Sequence, residues 1–271
     1  MAATSSFVKW TVFLVIFTST FALSSSKPTK CAGETCKGVE AIPDWDYLLF
    51  VVQWPESFCL YYNASRSTNS DQKCIIPRGV RDWTVHGTWP TKIGTEGPTN
   101  CNNTWTFDFS KVKDLESQLQ KVWPDLLSGS TYDSFWAHEW DKHGTCASSL
   151  PALYGEHNYF GSTLKMHSHF NIDSILSAAE IVPSKTSNYT RDAIFNAIKA
   201  GAGGMPDLTC YQKNLHDGSG IQQYLAEVRL CIDKTFKPMD CPKPSSKHVA
   251  RTAYYEPCSS KVPIMLPPIT T

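Results

Sequence analysis

Ten cysteines, from Cys31 to Cys258, follow a short apolar leader, and this conjunction constrains the fold more than any other feature. Met1 to Lys9 carries one charge, residues 10–17 are continuously apolar apart from Thr11, and Ala22, Ser24, Ser25 and Ser26 are small. That run is too short to span a bilayer and has the layout of a secretory signal peptide, assigned to residues 1–24. Residues 25–271 then form a single domain with no membrane span. An even cysteine count in an exported chain predicts up to five disulfides. The alternatives are buried thiols or structural zinc, and no C-x2-C spacing occurs to support the latter. Three sequons, at Asn63, Asn102 and Asn188, predict surface glycosylation.

Charge narrows the function classes. Lys+Arg and Asp+Glu each number 25, so no general basic coat exists to hold a nucleic acid, and a polyanion must be held locally. With 41% hydrophobic and 18% charged residues the chain can bury a sizeable core. Its 9 Trp, 11 Tyr and 13 Phe can also line a groove with flat rings.

Hydrophobic periodicity places strands and helices in mixed order. Residues 45–54 are almost continuously apolar, as a strand covered on both faces should be. Residues 82–88 alternate, with Thr84, His86 and Thr88 on one face. Residues 224–233 also alternate, with Tyr224, Ala226, Val228, Leu230 and Ile232 on one face. Helices are predicted after a Ser110 cap, over 133–146 closed by Gly144, and over 158–169, 171–181 and 190–200. Without strict βαβ alternation the expected class is α+β, a largely antiparallel sheet with helices packed on it and disulfides stabilising it.

Residues 135–146, FWAHEWDKHGTC, are dense in reactive groups. At about 100° per residue, His138, Glu139, Lys142 and His143 share one arc of roughly 140°. A solvated polar face is the bland alternative. A zinc site fits poorly, because the histidines are spaced i, i+5 and a lysine lies between them. General acid–base catalysis on a phosphodiester fits better: it needs a base, an acid and cations at phosphorus. His86, in TVHGTWP, is the best second histidine, beside a glycine that allows close backbone approach.

TVHGTWP and FWAHEWDKHGTC together resemble the two active-site signatures of the T2 ribonuclease family, and QWPESFC (53–59) is similar to a third family segment. The resemblance implies a metal-independent, cofactor-free endoribonuclease acting on single-stranded RNA as a monomer, with an α+β fold. In that family the RNA 2′-hydroxyl attacks its own phosphate, giving a 2′,3′-cyclic phosphate later opened to a 3′-phosphate. DNA lacks that hydroxyl and is excluded. By resemblance His143 is the general base and His86 the general acid. Glu139 and Lys142 stabilise the phosphorane, and His138 binds phosphate. Gln53, Trp89 and Phe135 hold RNA, although Trp89 can equally be read as core. A nucleotide-contact pair falls on Asp125 and Leu126, where the loop before Phe135 is one residue longer than the family's.

The same resemblance implies disulfides Cys59–Cys74, Cys101–Cys146, Cys210–Cys258 and Cys231–Cys241, leaving Cys31 and Cys36 to pair with each other. Thr88 departs from the family's usual leucine. The implied compartment is the cell exterior or a lysosome-like or vacuolar lumen. A rival reading keeps the fold but gives the exported protein a receptor- or glycan-binding role. Histidine pKa values near 6.5 predict an acidic optimum, roughly pH 4.5–6.5, with Glu139 ionised there.

Overall fold

The computed structural model describes residues 43–65, 71–95, 97–215, 220–242 and 255–270, all within the unit Glu40–Thr271. The leader, Cys31, Cys36, His216 and His248 lie outside the described residues. Among the described residues no helix is long and apolar enough to cross a membrane.

The expected α+β architecture is present. Strands β1 (Tyr47–Gln53), β2 (Thr84–Thr91), β3 (Asn188–Tyr189), β4 (Asp207–Leu215), β5 (Gly220–Ile232), β6 (Pro238–Met239), β7 (Glu256–Pro257) and β8 (Ile264–Met265) make one sheet. The main order is β2-β1-β5-β4-β7; β6 and β8 add to β5, and β3 to β8. Every pairing is antiparallel except the parallel β5–β8 pair.

The apolar run of β1 is explained by its central place, since all seven residues are buried. Leu48, Phe50 and Val52 join the main core under the helices, while Tyr47, Leu49 and Val51 form a small second cluster with Cys231 on the other face. On β5, Val228, Leu230 and Ile232 face the main core as predicted. The pattern breaks lower down. Thr209 pairs with Glu227 but Cys210 pairs with Leu225, so Ala226 is an extra residue. That bulge reverses the phase, and Leu225 enters the core in place of Tyr224, which stacks on Tyr211 at 5.9 Å.

The helices are α1 (Pro55–Ser65), α2 (Glu116–Val122), α3 (Tyr132–Glu139), α4 (Thr145–Ala147), α5 (Glu156–His169), α6 (Ile172–Ala178) and α7 (Arg191–Ala202). Asn171 and Thr190 cap α6 and α7 through side-chain oxygens, and Gly203 ends α7 in the left-handed region at φ 86°. Ser110 is not a cap. The carboxylate of Asp108 accepts from the Ser110 N–H and starts a 3-10 turn, Phe109–Leu115, from which α2 continues. Gly144 does not close its helix either. It stays helical, and a Cβ there would strike the Trp140 ring, so the glycine serves packing.

Four disulfides form with the pairing that the family resemblance implies: Cys59–Cys74, Cys101–Cys146, Cys210–Cys258 and Cys231–Cys241. Of the sequon asparagines, Asn63 and Asn188 are exposed, whereas Asn102 is half-buried, with its side-chain oxygen accepting from Thr104 of its own sequon.

Candidate active site

Strand β2 is the edge of the main order and carries the first site residues. Val51 of β1 pairs with Gly87 and Val52 with Val85, so His86 is a surplus residue, a β-bulge. In a regular strand residues three apart face opposite sides of the sheet. Here the bulge brings the rings of His86 and Trp89 to 5.0 Å, edge to face. The predicted shared face of Thr84, His86 and Thr88 is therefore broken. Thr88 pairs with Phe50 and its Oγ1 lies 2.9 Å from Thr163 Oγ1 of α5, on the helix side.

The second element is the helix that begins as α3. Trp136 and Trp140 are fully buried and anchor it: their indole N–H groups donate to the carbonyls of Trp123 (2.8 Å) and Trp105 (2.9 Å). Residues Trp140–Gly144 widen into a π turn, in which the Thr145 N–H reaches the Trp140 carbonyl. Such turns contain more residues and rotate less per residue than an α-helix, which draws His143 back towards the arc of His138. Asn100 N–H donates to the Lys142 carbonyl at 2.9 Å, and Cys101–Cys146 fastens the same loop to the helix end.

These two elements meet around Trp89. Its ring lies nearly parallel to His143 at 5.1 Å, and its indole N–H donates to Glu139 Oε2 at 2.9 Å. Trp89 thus contacts two other candidate site residues. Phe135 lies 6.2 Å from His86. Gln53 is buried on β1, paired in register with Thr84 and Glu227, on the same face of the sheet. His138 stands at the rim and Lys142 is half-buried. Asp125 and Leu126 lie in the segment between α2 and α3. The Asp125 carboxylate accepts from Leu127 N–H and Ser130 Oγ, and Leu126 is buried with its carbonyl bound to Ile75 N–H.

The third element was missed by the sequence reading. Glu227 and Arg229 of β5 are both fully buried. Glu227 Oε1 lies 2.6 Å from His86 Nδ1, and its Oε2 accepts from Arg229 Nη2 (2.7 Å), Arg229 Nε (3.0 Å) and Thr209 Oγ1 (3.1 Å). Arg229 Nη1 also reaches Asp207 Oδ2 at 3.4 Å. A usable signal was present: two charges two residues apart, out of phase with the apolar face of a strand.

The electrostatics separate the titrating groups. Burial works against the charged form of His86, but the hydrogen bond and negative charge of Glu227, aided by Glu139, outweigh it and raise the ring's pKa. For His143, burial and then the charges of Lys142, His138 and His86 all act downwards, leaving it well below the usual histidine value. Partial burial, Lys142 and His86 lower His138 too. Burial pushes Glu139 up to about 7 against His86, the Trp89 hydrogen bond and Lys142. This corrects the expectation of an ionised Glu139 in mild acid: the carboxyl is neutral there. Burial would also raise Glu227, yet Arg229 and His86 overcome it and hold the carboxylate at about 2.

Comparison with known proteins identifies the family. Residues 45–241 match the model of the Ribonuclease T2 family. Ribonuclease Oy of Magallana gigas is 38% identical over 83% of this chain and 98% of its own length. Ribonuclease T2 of Danio rerio is 31% identical over 97% and 99%. Among solved structures, RNase NT in complex with 5′-AMP covers 84% of this chain and 100% of its own at 33% identity, with a TM-score of 0.66. Human RNase T2 covers 83% and 99% at 29% identity, with a TM-score of 0.64. With two histidines gathered on one tryptophan and the family match extending across the strands and helix that hold them, this chain belongs to the ribonuclease T2 family.

Proposed function

We propose that the chain is an endoribonuclease that cleaves single-stranded RNA by transphosphorylation, with His143 as base and His86 as acid. The observation that carries this reading is the placing of two imidazoles against one indole, His143 stacked and His86 edge-on, with opposite proton preferences. A base must be neutral and an acid protonated at the same pH, and this pair meets that condition.

In the proposed first step His143 takes the proton of the 2′-hydroxyl, whose oxygen attacks the adjacent phosphorus. The P–O5′ bond breaks as His86 delivers its proton to the leaving oxygen. A 2′,3′-cyclic phosphate remains. In the second step the roles reverse: His86 deprotonates water and His143 protonates the departing 2′-oxygen, leaving a 3′-phosphate. Lys142 supplies positive charge to the phosphoryl oxygens, His138 binds them through a ring N–H, and neutral Glu139 donates a hydrogen bond to one of them. Gln53 and Phe135 line the approach for the bases. The substrate brings its own nucleophile, so 2′-deoxy residues are not cut.

Removal of residues 1–24 and export to the exterior or a lysosome-like lumen complete the reading, with Asn63, Asn102 and Asn188 as glycan acceptors and the protein a monomer. The test is digestion of a defined oligoribonucleotide with fragments weighed by mass spectrometry. Cyclic phosphate ends, formed also in excess chelator, are the expected result. Cleavage at a single 2′-deoxy position, or no cleavage of RNA, overturns it.

A further inference from the structure

His86 does not stand alone on its bulge. The groups facing it are Glu227 and Arg229 from β5, Glu139 and His138 from α3, and His143 from the π turn. Of these, Glu227 bonds its Nδ1, at 2.6 Å. Glu227 is an anion held by Arg229, and an ionised carboxylate can only accept, so Nδ1 must carry a proton and donate it. The backbone on the other side is fixed as well, since Trp123 Nε1 donates to the His86 carbonyl at 3.1 Å. With 19% of the side chain exposed, the ring edge left for a substrate is the one bearing Nε2.

We propose that Glu227, clamped by Arg229, is the positioning residue of the general acid: it fixes the tautomer and plane of His86 and so presents Nε2 to the leaving oxygen. The inference rests on the function proposed above. A buried ion pair is a poor means of stabilising a fold, because desolvation offsets its Coulomb gain. Here the pair has a use that two apolar residues of similar volume cannot serve, since an acceptor is needed to keep the proton on Nδ1 and an anion also favours the protonated ring. Thr209 Oγ1 and Asp207 complete the clamp on Glu227 and Arg229.

Two measurements on the full chain test this. The first is the long-range ¹H–¹⁵N spectrum of the histidine rings in the unaltered protein, with His86 assigned through His86→Ala. Above its titration the neutral ring should carry its proton on Nδ1; a neutral ring protonated on Nε2 overturns the proposal. The second is the pH profile of kcat/KM for the double variant E227Q/R229M, which removes both charges together and leaves neither buried alone. Losing an anion within hydrogen-bond reach should move the alkaline limb down by about one pH unit or more, a loss of about tenfold at pH 7.5 with KM little changed. A folded double variant whose limb stays in place overturns the proposal. RNA left uncut by the unaltered chain overturns the function instead, and the ring spectrum still decides the Glu227 contact.

Discussion

Trp89 and Glu139 are joined by one hydrogen bond, indole N–H to Oε2 at 2.9 Å, and that bond fixes the residue at position 87. A Cβ on Gly87 would land on both bonded atoms, Glu139 Oε2 and Trp89 Nε1. Gly87→Ala should therefore part the pair and tilt the ring on which His143 is stacked. We expect a loss of about 10²-fold in kcat, the scale of a small misplacement of reacting groups, with little change in melting temperature. Steady-state kinetics beside a thermal melt would check it; near-native kcat would show that the pair is not needed.

His143→Ala and His86→Ala should each lower the rate by roughly 10²–10⁴-fold, the usual range for a positioned acid or base. Lys142→Ala should lower kcat while the fold stays intact. Alanine at His157, whose partner is the exposed Asp114, should leave cleavage of a dinucleotide unchanged.

The opposite shifts of the two rings define the pH profile. His143 lies below and His86 above the ordinary histidine value, so one neutral and one protonated ring coexist on both sides of pH 6.5. We expect a broad acidic plateau in place of a narrow bell. It should fall on the alkaline side as Glu139 ionises near 7 and His86 loses its proton. A rate maximum above pH 8 would sink this assignment.

Glu139 also links pH to stability. Its folded pKa is raised, so the folded chain favours the protonated carboxyl, and stability present below 4.5 is lost as pH rises through about 7. A rise from 4.5 to about 7, at about 1.4 kcal/mol for each pH unit, amounts to roughly 3 kcal/mol. Glu139→Gln should remove that dependence. Denaturant melts at pH 4 and pH 8 should show the native chain falling relative to the variant by about that amount.

Opening Cys101–Cys146, which closes a separation of 45 residues, should cost about 4 kcal/mol by chain entropy. Because it also holds the loop bonded to the Lys142 carbonyl, the double Cys→Ser variant should lose activity below its melting transition. Activity and unfolding followed on one sample would separate the two effects.

Much of this was legible in the sequence. The apolar run of β1, the spans of α6 and α7 and the charge-dense helix are local features with fixed periods, and local features survive into the fold. What could not be read depends on single residues out of phase. Nothing in TVHGTWP announces that His86 is surplus, because the bulge exists only against Val51 and Val52 of another strand. Ala226 reverses β5 for the same reason. The π turn likewise has no local signal, and Trp136 and Trp140 beside it are held by carbonyls of other segments. Glu227 was visible as a charge in an apolar strand, but its partner, His86, is 141 residues away in sequence.

The bulge at His86 also sets which changes this chain can absorb over its history. A substitution in β2 alters one side chain. A one-residue deletion there would straighten the strand against Val51 and Val52 and leave no surplus position to carry His86. An insertion would add a second surplus residue beside it. Descendants of this gene should therefore vary in the composition of β2 and keep its length.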